Sequence, residues 1–398
     1  MELDERTAAG LPARPRAPAD TGARRASSTP GIYGKPFVRR FGSGTAVGGY
    51  VDLEFRHSLS DRVAAFDQRR LVPFLFAEIT DRLHFGTEIE FEHGPALENA
   101  DGEAEGAGEI KIEFATIDYQ FREALNLRGG VLLSPLGRFN LTHDSPVNEL
   151  TDRPLVALQV IPTTLSEAGL GFFGTLYPSE RSLLSYEAYA VNGFDAVLGE
   201  PEEGRLPIRD ASGKRGDVAN APINFVGRMA FSPFLGLEVG ASAHVGPYGG
   251  YGDARPSPRS THNASIWALD ATLNRGPVDI LGEYARLNVS LSDAARALGT
   301  APGREGLYVQ GNLHFGQGWL PPAATSSFTA AVRYDFVNYQ LGGGTTDRQR
   351  ALTLGVNWRP VADAAFKTDV RWDWVTAAGG GSYGPAAKRL AFSVATYF

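Results

Sequence analysis

The chain has 398 residues, a net charge of −7 with an isoelectric point near 5.6, and no cysteine. The acidic balance argues against a nucleic-acid partner, and a chain without cysteine is compatible with an oxidising compartment. No apolar run approaches the roughly 18 residues that a membrane-spanning helix needs, although a barrel strand crosses a membrane with only about 10 alternating residues.

The composition of residues 1–36 predicts a disordered N-terminal tail. They are rich in Ala, Arg, Pro and Ser and have few large apolar side chains, so they cannot bury enough surface to become ordered.

From Val47 onwards, apolar and polar side chains alternate with the period of two that is typical of β-strands. In the first segment, Val47, Val51 and Leu53 share one face, while Asp52 and Glu54 share the other. We predict sixteen strands: residues 47–56, 71–80, 82–93, 110–122, 125–133, 168–177, 184–191, 223–231, 237–245, 265–274, 278–287, 307–315, 328–339, 352–358, 366–374 and 390–398. The alternation slips near Thr116 and Ile117, which predicts a β-bulge there.

Short turns and long loops alternate between these segments, and many segments reach ten residues, whereas strands of soluble proteins have about five or six. An even strand number and this loop asymmetry are typical of bacterial membrane barrels. The sequence therefore predicts an all-β fold, a transmembrane antiparallel β-barrel of about 16 strands over residues 37–398. The short-turn side, with both termini, is expected to be periplasmic.

Charge identifies the inward face of the predicted wall. A charge facing lipid at the bilayer midplane costs on the order of 2–4 kcal/mol, so charged faces are expected to line water. The faces of Leu307, Val309 and Phe315 and of Phe366, Val370 and Trp372 carry no charge. The inward basic residues predicted to line the pore are Arg128, Arg228, Arg333, Lys367 and Arg371.

Residues 134–167 neither alternate like a strand nor repeat like a helix, and they are rich in Pro and turn-forming residues. A structureless segment this long usually has a function of its own. We predict a constriction loop folded into the lumen. Its charged residues, expected to face the basic wall residues across a narrow water path, are Arg138, His143, Asp144, Glu149, Asp152 and Arg153.

The chain ends in a strand that finishes on Phe398, as bacterial outer-membrane proteins do. The segments FGTEIEFEHG (85–94), PLGRFNLTHDSP (135–146) and IPTTLSEAGLG (161–171) resemble the phosphate-selective porin O and P family, and the likeness runs from about residue 37 to residue 398. The resemblance implies a sixteen-stranded, trimeric diffusion pore narrowed by its third extracellular loop. It also implies recognition of the last strand by the barrel assembly machinery. In that family anion selectivity rests on a ladder of arginines and lysines, whereas the inward positions here mix bases with at least as many acids.

The function predicted from these observations is an outer-membrane porin for passive diffusion of small hydrophilic solutes or ions, with anions such as phosphate among them. Lipid and lipopolysaccharide of the outer membrane are expected to surround it, and no cofactor, metal or catalytic residue is expected. Two alternatives stay open: a barrel enzyme, either a protease or a phospholipase, and a soluble β-rich binding protein. Inward His84, His244 and His314 lie on different strands without an evident catalytic or metal-ligand partner.

The amino terminus is the main observation against an outer-membrane location. It begins with Glu2, Asp4 and Glu5, and no apolar stretch of about 7 to 15 residues follows, so it lacks the pattern of a secretory signal. The expected explanation is that the start of this sequence differs from that of the exported precursor.

Overall fold

The computed structural model describes residues 35, 39–41, 44–94, 108–194, 198, 206–209, 211, 223–249, 262–291, 296–297, 300–322, 324–341, 347–376 and 387–398. Apart from Lys35, the predicted disordered tail lies outside these residues. Within them, no helix is both long enough and apolar enough to cross a membrane.

The wall is one antiparallel sheet that closes on itself. Sixteen strands, β2 to β17, each pair with their neighbours in the chain, and β17 pairs with β2 from Arg389–Ser58 to Tyr397–Tyr50. A short strand, β1, pairs with the start of β2 beyond the end of β17. The strands are β1 (Arg39–Phe41), β2 (Thr45–Ser58), β3 (Val63–Glu78), β4 (Leu83–Glu92), β5 (Glu109–Arg122), β6 (Leu125–Leu133), β7 (Ser166–Ser179), β8 (Ser182–Asn192), β9 (Ile223–Phe234), β10 (Leu237–Pro247), β11 (Asn263–Arg275), β12 (Val278–Val289), β13 (Gly303–Phe315), β14 (Ser327–Leu341), β15 (Arg348–Val361), β16 (Ala364–Thr376) and β17 (Ala387–Tyr397).

The predicted sixteen-stranded barrel is confirmed, and each predicted strand overlaps one wall strand. β3 begins at Val63 rather than at residue 71. The pairing of β2 with β3 shifts where Asp52 faces Arg70 but Leu53 faces Gln68, so Arg69 is an extra residue. This bulge changes the phase of the alternation, and for that reason the first part of β3 could not be recognised from a single period.

A second bulge corrects the sequence prediction in β5. The extra residue is Glu113, because Glu88 pairs with Phe114 while the next residue, Ile89, pairs with Ile112. The position predicted, Thr116–Ile117, was therefore wrong by about three residues. As a consequence of the bulge, Glu113 and Phe114 are both buried inside the barrel.

The two faces of the wall differ as the charge pattern predicted. Outward residues such as Val309, which is 53% exposed, are apolar, whereas inward residues such as Lys367, which is 1% exposed, are charged. Because a closed sheet pairs its backbone groups between strands, and because its charges point away from lipid, this wall is suited to crossing a bilayer.

The segment between β6 and β7 packs against the inward face of the wall. It contains two short 3-10 helices (Phe139–Leu141 and Ser145–Val147) and the short helix α1 (Leu155–Gln159). Residues from the β8–β9 connection, among them Phe194 and Leu206, join α1 in one buried apolar cluster with inward residues of β11 and β12. The barrel interior is therefore filled on this side by apolar side chains.

Candidate functional site

Asn140 fixes the base of the interior segment, residues 134–165, which is called the inner loop below. Its Nδ2 donates to the carbonyl oxygens of Ser134 at 2.7 Å and Leu165 at 3.1 Å, and its Oδ1 accepts from the Leu165 amide at 2.9 Å. One fully buried side chain thus joins the two ends of the loop where they leave the wall.

Three carboxylates of the wall accept hydrogen bonds from backbone amides of the inner loop. Glu283 Oε2 accepts from the amides of Arg138 at 2.7 Å and Phe139 at 2.9 Å. Asp369 accepts from Thr151 at 2.8 Å, and Asp335 accepts from Leu155 at 2.9 Å. These carboxylates therefore hold the loop backbone directly to the wall.

The turn beside Glu283 requires glycine. Gly137 has a φ of +69°, and a Cβ at this position would lie 2.5 Å from Glu283 Oε1. Only glycine allows the backbone to approach the carboxylate this closely without strain.

Four basic residues of the wall donate to carbonyl oxygens of the loop. They are Arg333, which reaches the Asp152 oxygen at 2.9 Å, Lys367, which reaches the Ser145 oxygen at 2.6 Å, Arg359, which reaches the Pro146 oxygen at 2.7 Å, and Arg304, which reaches the Gln159 oxygen at 2.9 Å. Two of these, Arg333 and Lys367, were predicted from sequence to face the loop. The structure brings both into contact with it through its backbone.

Asp152 is the most strongly paired acid of the loop. Its carboxylate lies 2.7 Å from Arg56, 3.4 Å from Arg371 and 3.6 Å from Arg389. Burial on its own would raise the pKa of Asp152, but the three guanidinium groups outweigh burial and hold the pKa well below its usual range. Asp152 and Arg371, which were both predicted to be site residues, are thus brought together, and Arg371 also binds Asp373 at 2.8 Å.

Glu149 is held in a similar way one strand further along the wall. Its Oε2 accepts from Asn357 at 2.6 Å and from Arg359 at 3.0 Å. Burial opposes ionisation, but Arg359 and the hydrogen bond from Asn357 lower the pKa of Glu149 below its ordinary value. The carboxylate is therefore charged at neutral pH.

Arg138 reaches the opposite part of the wall. Its Nη1 donates to Glu238 at 2.9 Å, and the same carboxylate lies 3.5 Å from Arg228. Arg228 also binds Asp270 on β11. The structure thus links Arg228 to the loop through a shared acid rather than by the face-to-face placement expected from sequence.

Arg153 and Arg128 bind closer to the first half of the wall. Arg153 donates to the Thr163 carbonyl at 3.0 Å and lies 3.7 Å from Glu90; burial, followed by the charge of Arg70, lowers its pKa. Arg128 pairs bidentately with Asp118 at 2.7 Å and stacks 4.1 Å over the Phe173 ring. These partners of Arg128 all belong to the wall, not to the inner loop.

His143 and Asp144 lie at a further contact between the loop and the wall. His143 Nε2 is 2.9 Å from Glu113, and Asp144 accepts from Lys35 at 2.8 Å and from the Tyr397 hydroxyl at 3.0 Å. The sequence analysis did not identify Lys35 or Glu113 as site residues. Glu113 was hidden by the bulge, and Lys35 lies in the stretch assigned to the tail.

Sequence reasoning also missed Glu283, Arg359 and Asn357 as anchors of the loop. All three stand at inward positions of their strands, so the alternation could have found them. What it could not show is which part of the loop each one would meet, because the loop has no period of its own.

Comparison with known proteins shows the fold. No family model matches the chain. An uncharacterised protein of Aquifex aeolicus is 36% identical over 203 residues, which is 51% of this chain and 44% of the relative, so the match spans less than half of the relative's length.

Three solved structures have similar barrels. OmpF of Salmonella typhi, in complex with daunomycin, is 12% identical with a TM-score of 0.56 over 89% of this chain and 97% of that one. The anion-selective porin of Comamonas acidovorans is 11% identical with a TM-score of 0.53 over 89% and 99%. The channel DcaP of Acinetobacter baumannii is 11% identical with a TM-score of 0.52 over 90% and 99%. The chain therefore has the fold of the bacterial outer-membrane porins, and the predicted outer-membrane location agrees with it.

Proposed function

We propose that this protein is a diffusion channel of the bacterial outer membrane for small hydrophilic solutes or ions. The observation that carries the proposal is the closed wall of β2 to β17, which is apolar outside and carries many charged side chains inside. A soluble β-rich binding protein would need the reverse arrangement, since its core would have to be apolar.

The inner loop narrows the water path. It bonds to wall residues of β10, β12, β14, β15 and β16, so it spans much of the interior. Solvent reaches charged side chains near both ends of the barrel: Arg56 (32% exposed) and Arg389 (40%) on the long-loop side, and Glu238 (26%) and His314 (30%) on the short-turn side. Between these two ends the inner loop forms the narrowest part of the water path, and the wall residues that anchor the loop set the pore diameter there.

The channel has a weak ion preference rather than a phosphate filter. A row of basic side chains selects anions only if those side chains are free to bind the passing ion. Here Arg333, Arg371 and Arg359 already pair with Asp335, Asp373 and Glu149. The path is therefore lined by paired charges of both signs, which departs from the phosphate-selective porins that the sequence resembles.

The proposed assembly is a homotrimer surrounded by lipid and lipopolysaccharide and inserted by the barrel assembly machinery through β17. A trimer form is recorded for one structural relative, OmpT of Vibrio cholerae, with a TM-score of 0.54. Crosslinking in native membranes tests the subunit number, and a monomer as the largest species would overturn this part of the proposal.

Single-channel recording in a planar bilayer tests the function itself. The purified protein is expected to give stable conductance steps, with a reversal potential near zero in a potassium chloride gradient. A folded protein that produces no steps would overturn the channel proposal, and hydrolysis of a peptide or phospholipid substrate by the same sample would support the barrel-enzyme alternative.

A further inference from the structure

We infer that Glu88, Glu113 and His143 form a binding site for a divalent transition-metal ion where the inner loop meets β4 and β5. One potential ligand atom from each residue lies within 4.8 Å of the other two. All three side chains are buried. A metal here would tie the loop to two wall strands at once.

The bulge in β5 leaves Glu113 as an extra, unpaired residue whose side chain enters this site. Ile112 points outward and is 46% exposed, whereas the next two residues, Glu113 and Phe114, are both buried inside the barrel. The extra residue therefore places two consecutive side chains inside, and Ser166 holds the bulged carbonyl with a hydrogen bond of 2.5 Å. Bulges often serve to redirect one side chain in this way.

The contacts of His143 call for a proton or a metal ion beside its Nε2. Its Nδ1 is 2.9 Å from the carbonyl oxygen of Asn140, which can only accept, so Nδ1 carries the hydrogen. In the neutral ring Nε2 then presents a lone pair, and it lies 2.9 Å from Glu113 Oε2. Two lone pairs facing each other at this distance repel unless a proton or a metal ion lies between them.

Further oxygen atoms of the site lack hydrogen-bond donors. Oε1 of Glu113 and Oε1 of Glu88 are buried and have no hydrogen-bond partner among the described residues. A buried carboxylate oxygen without a donor is costly. A cation bound by both glutamates would remove this cost, whereas a proton on His143 would satisfy only one oxygen.

The donor set indicates the class of metal. One imidazole nitrogen with two carboxylates suits Zn²⁺ or Mn²⁺ better than Ca²⁺ or Mg²⁺, which prefer oxygen ligands alone. Lys35 is a competitor, because its Nζ lies 2.8 Å from Glu88 Oε2 and 2.8 Å from Asp144. The metal therefore binds more weakly while the ammonium group occupies Glu88.

Zinc retention tests the site. The protein is refolded in detergent with or without Zn²⁺ and dialysed, and the number of metal ions per chain is then measured. Only samples that are folded, as shown by heat-modifiable migration, are compared. One zinc per chain is expected for the parent, and none for H143A or E113Q. The matched control is H244A, since His244 also faces a buried glutamate, Glu167 at 2.7 Å, but the described part of the chain places no second carboxylate within ligating distance of this pair.

A variant that binds zinc more tightly distinguishes loss of the site from poor folding, because a poorly folded protein would not gain affinity. K35M removes the competing ammonium and is expected to bind zinc about tenfold more tightly than the parent in a chelator competition, an effect on the order of 1.4 kcal/mol. Zinc retained by H244A and K35M but lost from H143A supports the site. No zinc in parent and K35M, or equal zinc in parent and H143A, would overturn it and leave a shared proton between His143 and Glu113.

Discussion

At the scale of single residues, the charges inside this barrel act as paired anchors. Asp152 meets three arginines from β2, β16 and β17, and its burial explains why the pairing matters. Removing one member of a buried ion pair leaves the others without compensation, which destabilises more than the pair itself stabilises.

The pH dependence of stability follows from Asp152. Its pKa is depressed on folding, so its contribution is complete above the unfolded value of about 3.9 and is lost as pH falls through the folded pKa. Thermal unfolding in detergent should therefore show a constant contribution from pH 8 to about 5 and a loss below about 4. D152N should be about 3 kcal/mol less stable than the parent at pH 7. This difference should shrink as the pH falls below about 4.

The exposed acid Asp61 is the control, and a D61N profile identical to that of D152N would contradict the assignment.

Glu283 gives a second prediction at the same scale. E283A leaves the amides of Arg138 and Phe139 without their acceptor, which should cost about 2 kcal/mol of stability. Because the loop then loses one anchor, single-channel records should also become noisier. Y284F is the matched control, since Tyr284 is the next residue in β12 and its hydroxyl bonds to Glu305 rather than to the loop. Quiet parental steps from E283A would show that this anchor does not hold the loop.

At the scale of elements, the strands of the wall could be predicted from the sequence, whereas the contacts of the inner loop could not. Alternation predicted all sixteen strands, because each strand has a fixed period and a lipid-facing side that excludes charge. The two bulges, at Arg69 and Glu113, broke that period and caused the errors in β3 and β5. The inner loop was recognised by its lack of period. Its contacts depend on wall residues up to 222 positions away in sequence, as for Lys367 and Ser145, and no local pattern encodes such a distance.

The loop as an element should set the conductance. Replacing residues 142–153 with Gly and Ser at constant length removes His143, Asp144, Glu149, Asp152 and Arg153 while keeping Asn140 at the base. With these side-chain anchors lost and the backbone made flexible, residues 142–153 should move away from the wall, and the mean conductance should rise about twofold. The same replacement in residues 59–62, the exposed β2–β3 loop, should leave the conductance unchanged. Equal conductance in both variants would mean that the inner loop does not limit the pore.

At the scale of the whole molecule, assembly of the barrel in lipid depends on closure of the wall between its last strand, β17, and its first, β2. β17 pairs with β2 over its length, and the Phe398 amide donates to Gly49 at 2.9 Å. The Phe398 ring lies over Gly49, where a Cβ would come within 2.6 Å of it. An open seam in lipid would expose unpaired backbone groups, each costing several kcal/mol.

Phe398 should therefore matter for assembly more than for conduction. Its side chain faces outward and its amide bonds to Gly49 across the seam, so its deletion should lower the amount of heat-modifiable protein recovered in outer membranes severalfold. The channels that do insert should keep the parental conductance, because the anchors of the loop are intact. F392A is the control, since Phe392 is an outward aromatic residue of the same strand with a similar exposure but does not lie at the chain end. Equal losses in both variants would point to general lipid contact, and normal insertion without Phe398 would show that the seam closes without it.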